Sequence, residues 1–567
     1  MNKFIKSLIL LVIPFSVALI SGCGIKKMIK NAGSITYEVK PNPLELHGDS
    51  IKVSVTGDFP AKYFHKKATL EIIPVLKYDG GEKVLKSITL RGDKVEGAGE
   101  GISFDQGGKF TVSDKILYSS GMEKADLVLQ AKAQYKSKTT DLPEMSIAKG
   151  TIVTPLLLKK DYMPMMDADK FDKNPTVTQK ANIYYLVDSW QVRGVELKSD
   201  EMDNMYRFIS KAAADSSNFK EMKIYGYASP EGELSRNSKL SVNRADEASK
   251  VMYGQFSKNK LKELANREGF FTSITTDYED WDGLKQMLQT SSIDGKSDAI
   301  NIINSVNDPE ARETKFKELA SYDPIYEAYF PKLRRAEINL VVELKTRTDD
   351  QIKTLALSAP DTLGNEELLY ASTLVSSDDD KMKIYASYAR LFPEDYRGFN
   401  NMGAMYLKMG KLNEAQAEFE KASRIGNNVP SVQNNLGAAA AIRGDKMSAQ
   451  KFFDTAGSSK EVVYNKANLD VANGKYASAV SNYGDACTFN AALAKVLNGN
   501  ASGAIQTLDC GNDKDTAEGF YLRAIIAARA GDQAAVTANI GKALAMKPEL
   551  KNKAMNDMEF SKMNLSF

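Results

Sequence analysis

Histidine is almost absent from this chain, and so is any excess of charge of one sign. Its 567 residues include 2 histidines, His47 and His65, and its 75 lysines and arginines are balanced by 73 aspartates and glutamates. So little imidazole argues against histidine-based catalysis and zinc binding over most of the chain. The charge balance gives no electrostatic footprint for nucleic acid. No serine, cysteine or histidine arrangement suggests a nucleophile, so we expect no enzymatic activity, no cofactor and no metal site.

Long hydrophobic runs are also scarce, and the clearest one lies at 8–19. It is too short to span a bilayer comfortably. Lys3 and Lys6 precede it, and the sequence that follows is Ile20-Ser21-Gly22-Cys23. This pattern resembles a bacterial lipobox, which implies cleavage before Cys23 and acylation of its thiol and new amino group. The alternative is an ordinary secretory signal with a chance cysteine.

The only other cysteines are Cys487 and Cys510. A secreted chain meets an oxidising compartment, where disulfides persist. Both residues fall near the ends of consecutive predicted outer helices of the C-terminal region. A disulfide between them is therefore geometrically plausible, and the alternative is two buried free thiols.

Three regions differ in hydrophobic period. At 33–160 apolar and polar residues alternate, with turn signals between the runs, which predicts six or seven short strands in an immunoglobulin-like β-sandwich. Mixed strand and helix patterns follow, including a helix that Ser199 caps. The predicted boundaries are a signal peptide at 1–22, a lipidated tether at 23–32, the sandwich at 33–160, a linker at 161–178, an α/β domain at 179–347 with an insertion at about 277–332, and an all-α domain at 364–567.

The all-α region contains an internal repeat. Gly403, Phe419 and their neighbours recur 34 residues later as Gly437 and Phe453 (437 − 403 = 34; 453 − 419 = 34). This is the tetratricopeptide spacing, with a small residue where two helices touch and an aromatic ring that locks the pair. It predicts a superhelix with an inner groove that binds peptides. The candidate groove residues are Arg397, Asn400, Lys408 and Asn434.

Asparagines at equivalent repeat positions can hydrogen-bond the backbone of an extended peptide. The alternative for these groove candidates is that they are merely exposed helix residues.

The α/β region carries the most specific motif. Residues 224–232 read Ile-Tyr-Gly-Tyr-Ala-Ser-Pro-Glu-Gly, a later stretch reads Asn237-x-x-Leu-Ser-x-x-Arg244-Ala, and Arg334-Arg335-Ala-Glu-Ile opens the last strand. Together they resemble the OmpA-like peptidoglycan-associating domain, in a divergent subgroup common in Bacteroidota. In that family an aspartate on the turn and an arginine on the helix grip the zwitterionic head of diaminopimelate.

The resemblance places Arg244 at the arginine position, but Ser229 stands at the aspartate position. A guanidinium can pair with a ligand carboxylate in a bidentate manner, whereas a serine hydroxyl brings no charge. Glu231 supplies a carboxylate only if the turn redirects it. The candidate peptidoglycan-binding residues are Ser229, Glu231, Asn237 and Arg244. The alternative for Arg244 is that it braces the domain's own turn.

These observations predict a non-catalytic scaffold, lipid-anchored to the outer membrane. Surface-exported lipoproteins of Bacteroidota usually carry an acidic tract after the anchor, but residues 24–30 are basic, so we expect the periplasmic face. The expected partners are the outer membrane, peptidoglycan and outer-membrane or periplasmic proteins. The alternative is a subunit of an assembly, secretion or fimbria-related machine whose OmpA-like domain docks protein.

Overall fold

The computed structural model describes residues 23–275 and 278–565. The predicted signal peptide therefore lies outside the described residues. The chain divides into two compact units: one combines the chain up to Asp167 with the chain from Tyr385 onward, and the other runs from Ala168 to Ile384. The first unit contains the β-rich region and the helical repeats, and the second is α/β.

The first unit begins with a helix and a set of short strands. Helix α1, Cys23–Lys30, packs Ile25 and Met28 into the core of the β-rich region, and the Met28 carbonyl accepts the Tyr63 hydroxyl at 2.9 Å. The strands are β1 Thr36–Lys40, β2 Leu44–His47, β3 Ser50–Phe59, β4 Ala68–Tyr78, β5 Gly81–Val84, β6 Ile88–Gly92, β7 Glu100–Ile102, β8 Gly108–Leu117, β9 Asp126–Tyr135, β10 Lys138–Asp141, β11 Met145–Lys149 and β12 Thr151–Ile152. The predicted tether at 23–32 is thus mostly a packed helix.

Two sheets share one apolar core. The first has the order β1-β3-β2-β12 with β8 on β3, and the second has the order β10-β9-β4-β6-β7 with β11 on β9 and β5 on β4. The long strands β3 and β4 alternate buried and less buried residues, because successive side chains point to opposite faces. The described chain has twelve strands here, so the prediction of six or seven was wrong.

The second unit is built on a four-stranded sheet. Its strands are β13 Thr176–Tyr184, β14 Asn218–Gly226, β15 Phe271–Ile274 and β16 Arg335–Glu343. The order is β13-β16-β14-β15, with β14 and β15 parallel and the other pairs antiparallel. Its helices are α2 Asp200–Ala214, α3 Leu234–Lys258, α4 Lys262–Ala265, α5 Trp281–Gln289, α6 Lys296–Ser305, α7 Pro309–Lys317, α8 Tyr322–Leu333, α9 Asp349–Ser358 and α10 Asn365–Ala371.

Two cores support this unit. Helices α2 and α3 pack on the sheet, and the predicted N-cap is confirmed because the Ser199 hydroxyl accepts the Met202 amide. Helices α5 to α8 coincide with the predicted insertion at about 277–332. They have a core of their own around Trp281, Phe316 and Phe330.

Helical pairs complete the first unit, and the first of their helices begins within the last residues of the second unit. The helices are α11 Asp378–Leu391, α12 Tyr396–Lys408, α13 Leu412–Ile425, α14 Pro430–Arg443, α15 Lys446–Thr455, α16 Lys460–Ala472, α17 Tyr476–Tyr483, α18 Phe489–Leu497, α19 Ala501–Cys510, α20 Ala517–Ala530, α21 Gln533–Met546 and α22 Leu550–Asn556. A Cβ added at Gly403 would come within 2.5 Å of the Phe419 ring, and one at Gly437 within 2.6 Å of the Phe453 ring. The region is therefore an all-α repeat of tetratricopeptide type, locked as its sequence period predicted.

Candidate functional site

A cavity of about 260 Å³ lies in the α/β unit at the turn that connects β14 to α3. Its wall includes all four residues that the sequence singled out, Ser229, Glu231, Asn237 and Arg244. The close approach of strand and helix depends on Gly226, where a Cβ would come within 2.0 Å of the Ser241 carbonyl oxygen. The turn and the first turns of α3 thus form one side of the cavity.

Arg244 is buried, and its guanidinium is held by the chain itself. Its Nε donates to the Ser189 carbonyl at 2.9 Å, one Nη to that of Tyr227 at 2.9 Å and the other to that of Leu186 at 3.3 Å. Its guanidinium also lies 5.4 Å from the centre of the Tyr185 ring. Burial lowers the pKa of Arg244 to about 10. Arg244 therefore braces the loops around the cavity, as the alternative reading of the sequence held.

The cavity wall does contain a carboxylate. Glu231 Oε1 accepts the Ser229 hydroxyl at 2.7 Å and pairs with an Nη of Arg334 at 3.0 Å. The turn at Pro230 thus directs the Glu231 carboxylate toward Ser229. Arg334 is 7% exposed, and its Nε is buried without a hydrogen-bond partner among the described residues. Such an orphaned donor is uncommon in a folded protein.

The Asn237 side chain holds the turn between β14 and α3 in place. Its side-chain amide donates to the carbonyls of Ser229 and Glu231 at 3.3 and 3.1 Å, and to Glu279 Oε1 at 2.8 Å. Burial raises the pKa of Glu279, and the hydrogen bonds from Asn237 and Trp281 oppose that rise. Asn237 is therefore a positioning residue in this structure.

Sequence reasoning missed three charged residues of this wall. Arg334 was quoted as part of the strand motif but was not assigned to the site. Asp188 and Arg236 form an exposed ion pair of 2.6 Å at the rim. Only the apolar run at 183–187, which is typical of a strand and ends directly before Asp188, could have signalled it, because loop residues at strand ends often line sites.

A second candidate site is the groove of the helical repeats, and it is filled. Residues 159–167, hereafter the strap, run through it in an extended conformation. Asn401, Asn435 and Asn465 each accept from the amide and donate to the carbonyl of one strap residue, namely Asp167, Met165 and Met163, at 2.7–2.9 Å. The sequence analysis placed 161–167 in a linker, whereas the structure makes it part of the first unit.

Further asparagines extend this ladder. Asn490 accepts from the Lys159 amide and donates to the Lys159 carbonyl, both at 2.9 Å. Asn468 donates to the Asp161 carbonyl at 2.6 Å. Of the predicted groove residues, Asn400 and Asn434 are fully buried and donate to the carbonyls of Met165 and Met163 at 3.0 and 2.9 Å. They are not exposed helix residues.

The ladder was only partly foreseen from the sequence. The 34-residue register that relates Asn400 to Asn434 also relates Asn401 to Asn435 (435 − 401 = 34), so the period could have revealed the second pair. Of the other predicted residues, Arg397 pairs with Asp395 and donates to the Tyr388 hydroxyl, and Lys408 is exposed near the end of α12.

The strap is also held by two of its side chains. The Tyr162 ring is 9% exposed and stacks on Phe453 with the ring centres 6.4 Å apart. The Asp167 carboxylate accepts from Ser431 at 2.8 Å, Asn400 at 2.8 Å and Tyr396 at 3.2 Å. Burial raises the pKa of Asp167, and these hydrogen bonds oppose that rise. The strap is thus recognised by its backbone and by a ring and a carboxylate.

The cysteines take the following positions. Cys487 and Cys510 form a disulfide with their Cα atoms 5.5 Å apart, and Cys23 is the first residue of α1. Over residues 23–275 and 278–565, no cluster of three or more histidine, cysteine or acidic side chains is arranged to hold a metal ion. Within the same ranges no helix combines the length and the apolar character needed to cross a membrane.

Comparison with known proteins finds similarity in solved structures. No family model and no curated protein matches this chain. The similar structures include a tetratricopeptide repeat protein from Parabacteroides merdae (15% identity, TM-score 0.28, covering 37% of this chain and 91% of that one). PilW, a widely conserved type IV pilus biogenesis factor, has 14% identity and a TM-score of 0.26, covering 38% of this chain and 98% of its own. YrrB, a TPR protein with an unusual peptide-binding site, has 15% identity and a TM-score of 0.22, covering 38% and 100%.

Proposed function

We propose that this chain is a non-catalytic scaffold, lipid-anchored through Cys23 to the periplasmic face of the outer membrane. Its sandwich is of immunoglobulin-like type, and its α/β unit is an OmpA-like module that associates with the cell wall. Its repeats serve protein–protein interaction. The proposal assigns the cavity of the α/β unit to a peptidoglycan stem peptide.

The observation that carries this assignment is the pairing of charge in the cavity wall. Glu231 offers a carboxylate to a ligand ammonium group, although the residue two positions earlier is a serine. Arg334 lines the same cavity, and its buried Nε has no acceptor within the described part of the chain. A ligand carboxylate would accept a charge-assisted hydrogen bond from that Nε. The cavity therefore has one group for each half of a zwitterion.

A second candidate function rests on a different observation in the same wall. The donors of Arg244 already bind three carbonyls, and Glu231 and Arg334 already bind each other. Charges that already satisfy one another bind a small zwitterion only at the cost of their own pairing. In that case the module docks protein within an outer-membrane assembly, secretion or fimbria-related machine.

Sedimentation of the mature chain with purified peptidoglycan sacculi separates the two candidates. We expect the wild-type chain to pellet with the sacculi, and Arg334→Gln and Glu231→Gln to reduce the pelleted fraction. Glu231→Gln keeps the side-chain length and removes the charge, and Arg334→Gln removes the charge with a shorter polar side chain. Loss of one charge-assisted bond corresponds to about 1.5–3 kcal/mol, or roughly 10- to 150-fold in affinity.

The matched control is Arg267→Gln, which removes an exposed arginine of the same unit that binds the Phe219 and Lys220 carbonyls. It should leave sedimentation unchanged. A wild-type chain that stays in the supernatant, or pelleting that is indifferent to both cavity variants, overturns the wall-binding role and favours the docking role.

The anchor and its location have their own test. Palmitate labelling of cells should mark the wild-type chain but not Cys23→Ala, and protease added to intact cells should leave the chain undigested. An unlabelled wild-type chain refutes the anchor, and digestion in intact cells refutes the periplasmic location.

A further inference from the structure

The asparagine ladder defines a peptide site that is distinct from the wall-facing cavity. It recognises backbone amide and carbonyl groups at every second residue, at Asp167, Met165 and Met163. A carboxamide that donates and accepts at once satisfies both groups of one residue without regard to its side chain. The asparagines also bind one another, as Asn435 donates to Asn400 and Asn465 to Asn434 at 2.9 Å. They are therefore held ready for an extended chain.

We propose that this ladder is a site for extended peptides whose resident ligand is the chain's own strap, so that partner proteins of the repeats bind outside the groove. The ligand class is an extended segment with an aromatic ring at the place of Tyr162 and a carboxylate at the place of Asp167. The ring stacks on Phe453, and the carboxylate accepts a hydrogen bond from the Ser431 hydroxyl. Both features lie in the strap itself.

The geometry gives the strap an advantage over any competitor. It is covalently continuous with the sandwich, and Thr154 just before it hydrogen-bonds Glu559 beside the last repeat. A tethered ligand has an effective concentration in the millimolar range. Pro164 and the preceding Met163 favour an extended backbone, so little conformational entropy is lost on docking. A partner peptide of equal affinity would not displace it at micromolar concentration.

Hydrogen exchange on the wild-type mature chain tests the occupancy directly. The amides of Met163, Met165 and Asp167 should exchange as slowly as those of the repeat helices, because opening the strap exposes buried amides together with the asparagines. Asn435→Ala leaves both backbone groups of Met165 without that partner and should speed strap exchange on the order of 10- to 100-fold. Asn413→Ala, an exposed asparagine on α13, is the control and should change nothing. Strap amides that exchange like an open loop in the wild type overturn the proposal.

Binding in trans tests the ligand class. A fluorescent peptide with the sequence of residues 157–168 should not bind the wild-type chain. It should bind a chain whose residues 159–167 are replaced by a Gly-Ser segment of equal length and whose helical circular dichroism is intact. In the peptide, Tyr162→Ala or Asp167→Ala should weaken that binding about tenfold or more.

The remaining outcomes are also decisive. Equal binding of the peptide by both chains shows that the groove is open and overturns the proposal. The proposal is also overturned if the strap-replaced chain folds but does not bind the peptide at about 1 mM, which is the effective concentration of a short tether. If the strap-replaced chain does not fold, the exchange rates in the wild type decide. None of these readouts involves peptidoglycan, so they succeed or fail independently of the wall-binding role.

Discussion

The same substitution should have opposite effects at two helical glycines of the repeats. At Gly437 an added Cβ would lie 2.6 Å from two carbons of the Phe453 ring, about 1 Å inside ordinary contact. Phe453 is fully buried, so the ring cannot yield without disturbing its own neighbours. At Gly541, in α21, an added Cβ would meet nothing within 4 Å. We therefore expect Gly437→Ala to destabilise the repeats and Gly541→Ala to stabilise them.

The magnitudes follow from two opposing contributions. Overpacking a core costs about 1–3 kcal/mol, while alanine in place of glycine inside a helix gains about 0.5–1 kcal/mol. Gly437→Ala should thus lower the free energy of unfolding by up to about 2.5 kcal/mol, and Gly541→Ala should raise it by about 0.5–1 kcal/mol. For a region of this size, 1 kcal/mol corresponds to roughly 2–4 °C in Tm.

The assay is thermal unfolding of the mature chain, followed by circular dichroism at 222 nm, where the repeat helices dominate. A double variant supplies an internal check. Phe453→Leu replaces the ring with a smaller side chain and so makes room for the added Cβ. The double variant should therefore lose less unfolding free energy than the two single variants lose in sum. If Gly437→Ala raises Tm as Gly541→Ala does, the reasoning about the helix contact is refuted.

Two further predictions concern the first unit. Burial raises the pKa of Asp167 above its unfolded value, so its contribution to strap stability is fully present below the unfolded pKa and is lost as pH rises through the folded pKa. Hydrogen-exchange protection of the strap, corrected for intrinsic rates, should therefore increase as the pH falls through the folded pKa of Asp167, and an equal dependence in Asp167→Asn would contradict this. The Cys487–Cys510 disulfide closes a loop of 23 residues in sequence separation, which corresponds to about 3 kcal/mol. Dithiothreitol should lower the Tm of the repeats, and a Cys487→Ser, Cys510→Ser chain that still responds to dithiothreitol would contradict the assignment.

Local pattern was sufficient for several elements of the α/β unit and for the repeats. The helix that Ser199 was expected to cap is α2, Asp200–Ala214, and the last strand, which the Arg334-Arg335 motif opens, is β16, Arg335–Glu343. Both have long and regular periods, which local sequence reveals best. The strand count of the sandwich was wrong because short edge strands such as β5, Gly81–Val84, are fully exposed and show no alternation.

The cavity was foreseen in part. Its turn and helix residues lie within about 20 residues of one another, so the motif identified them together. Arg334 lies 103 residues from Glu231, and only the pairing of β16 with β14 brings the two side chains together. The same folding gave Arg244 three carbonyl partners, which no spacing along the chain could indicate.

By itself, then, the sequence determined several helices and strands of the α/β unit, the 34-residue repeat and the glycine contacts that lock it, because each depends on residues near one another in the chain. Only the tertiary structure decided what fills the groove. The strap lies 234 residues from Asn401 and 331 from Asn490. It overlaps the polar stretch around 163–175, which is typical of a linker, and a linker becomes a ligand only when a distant surface offers partners to its backbone.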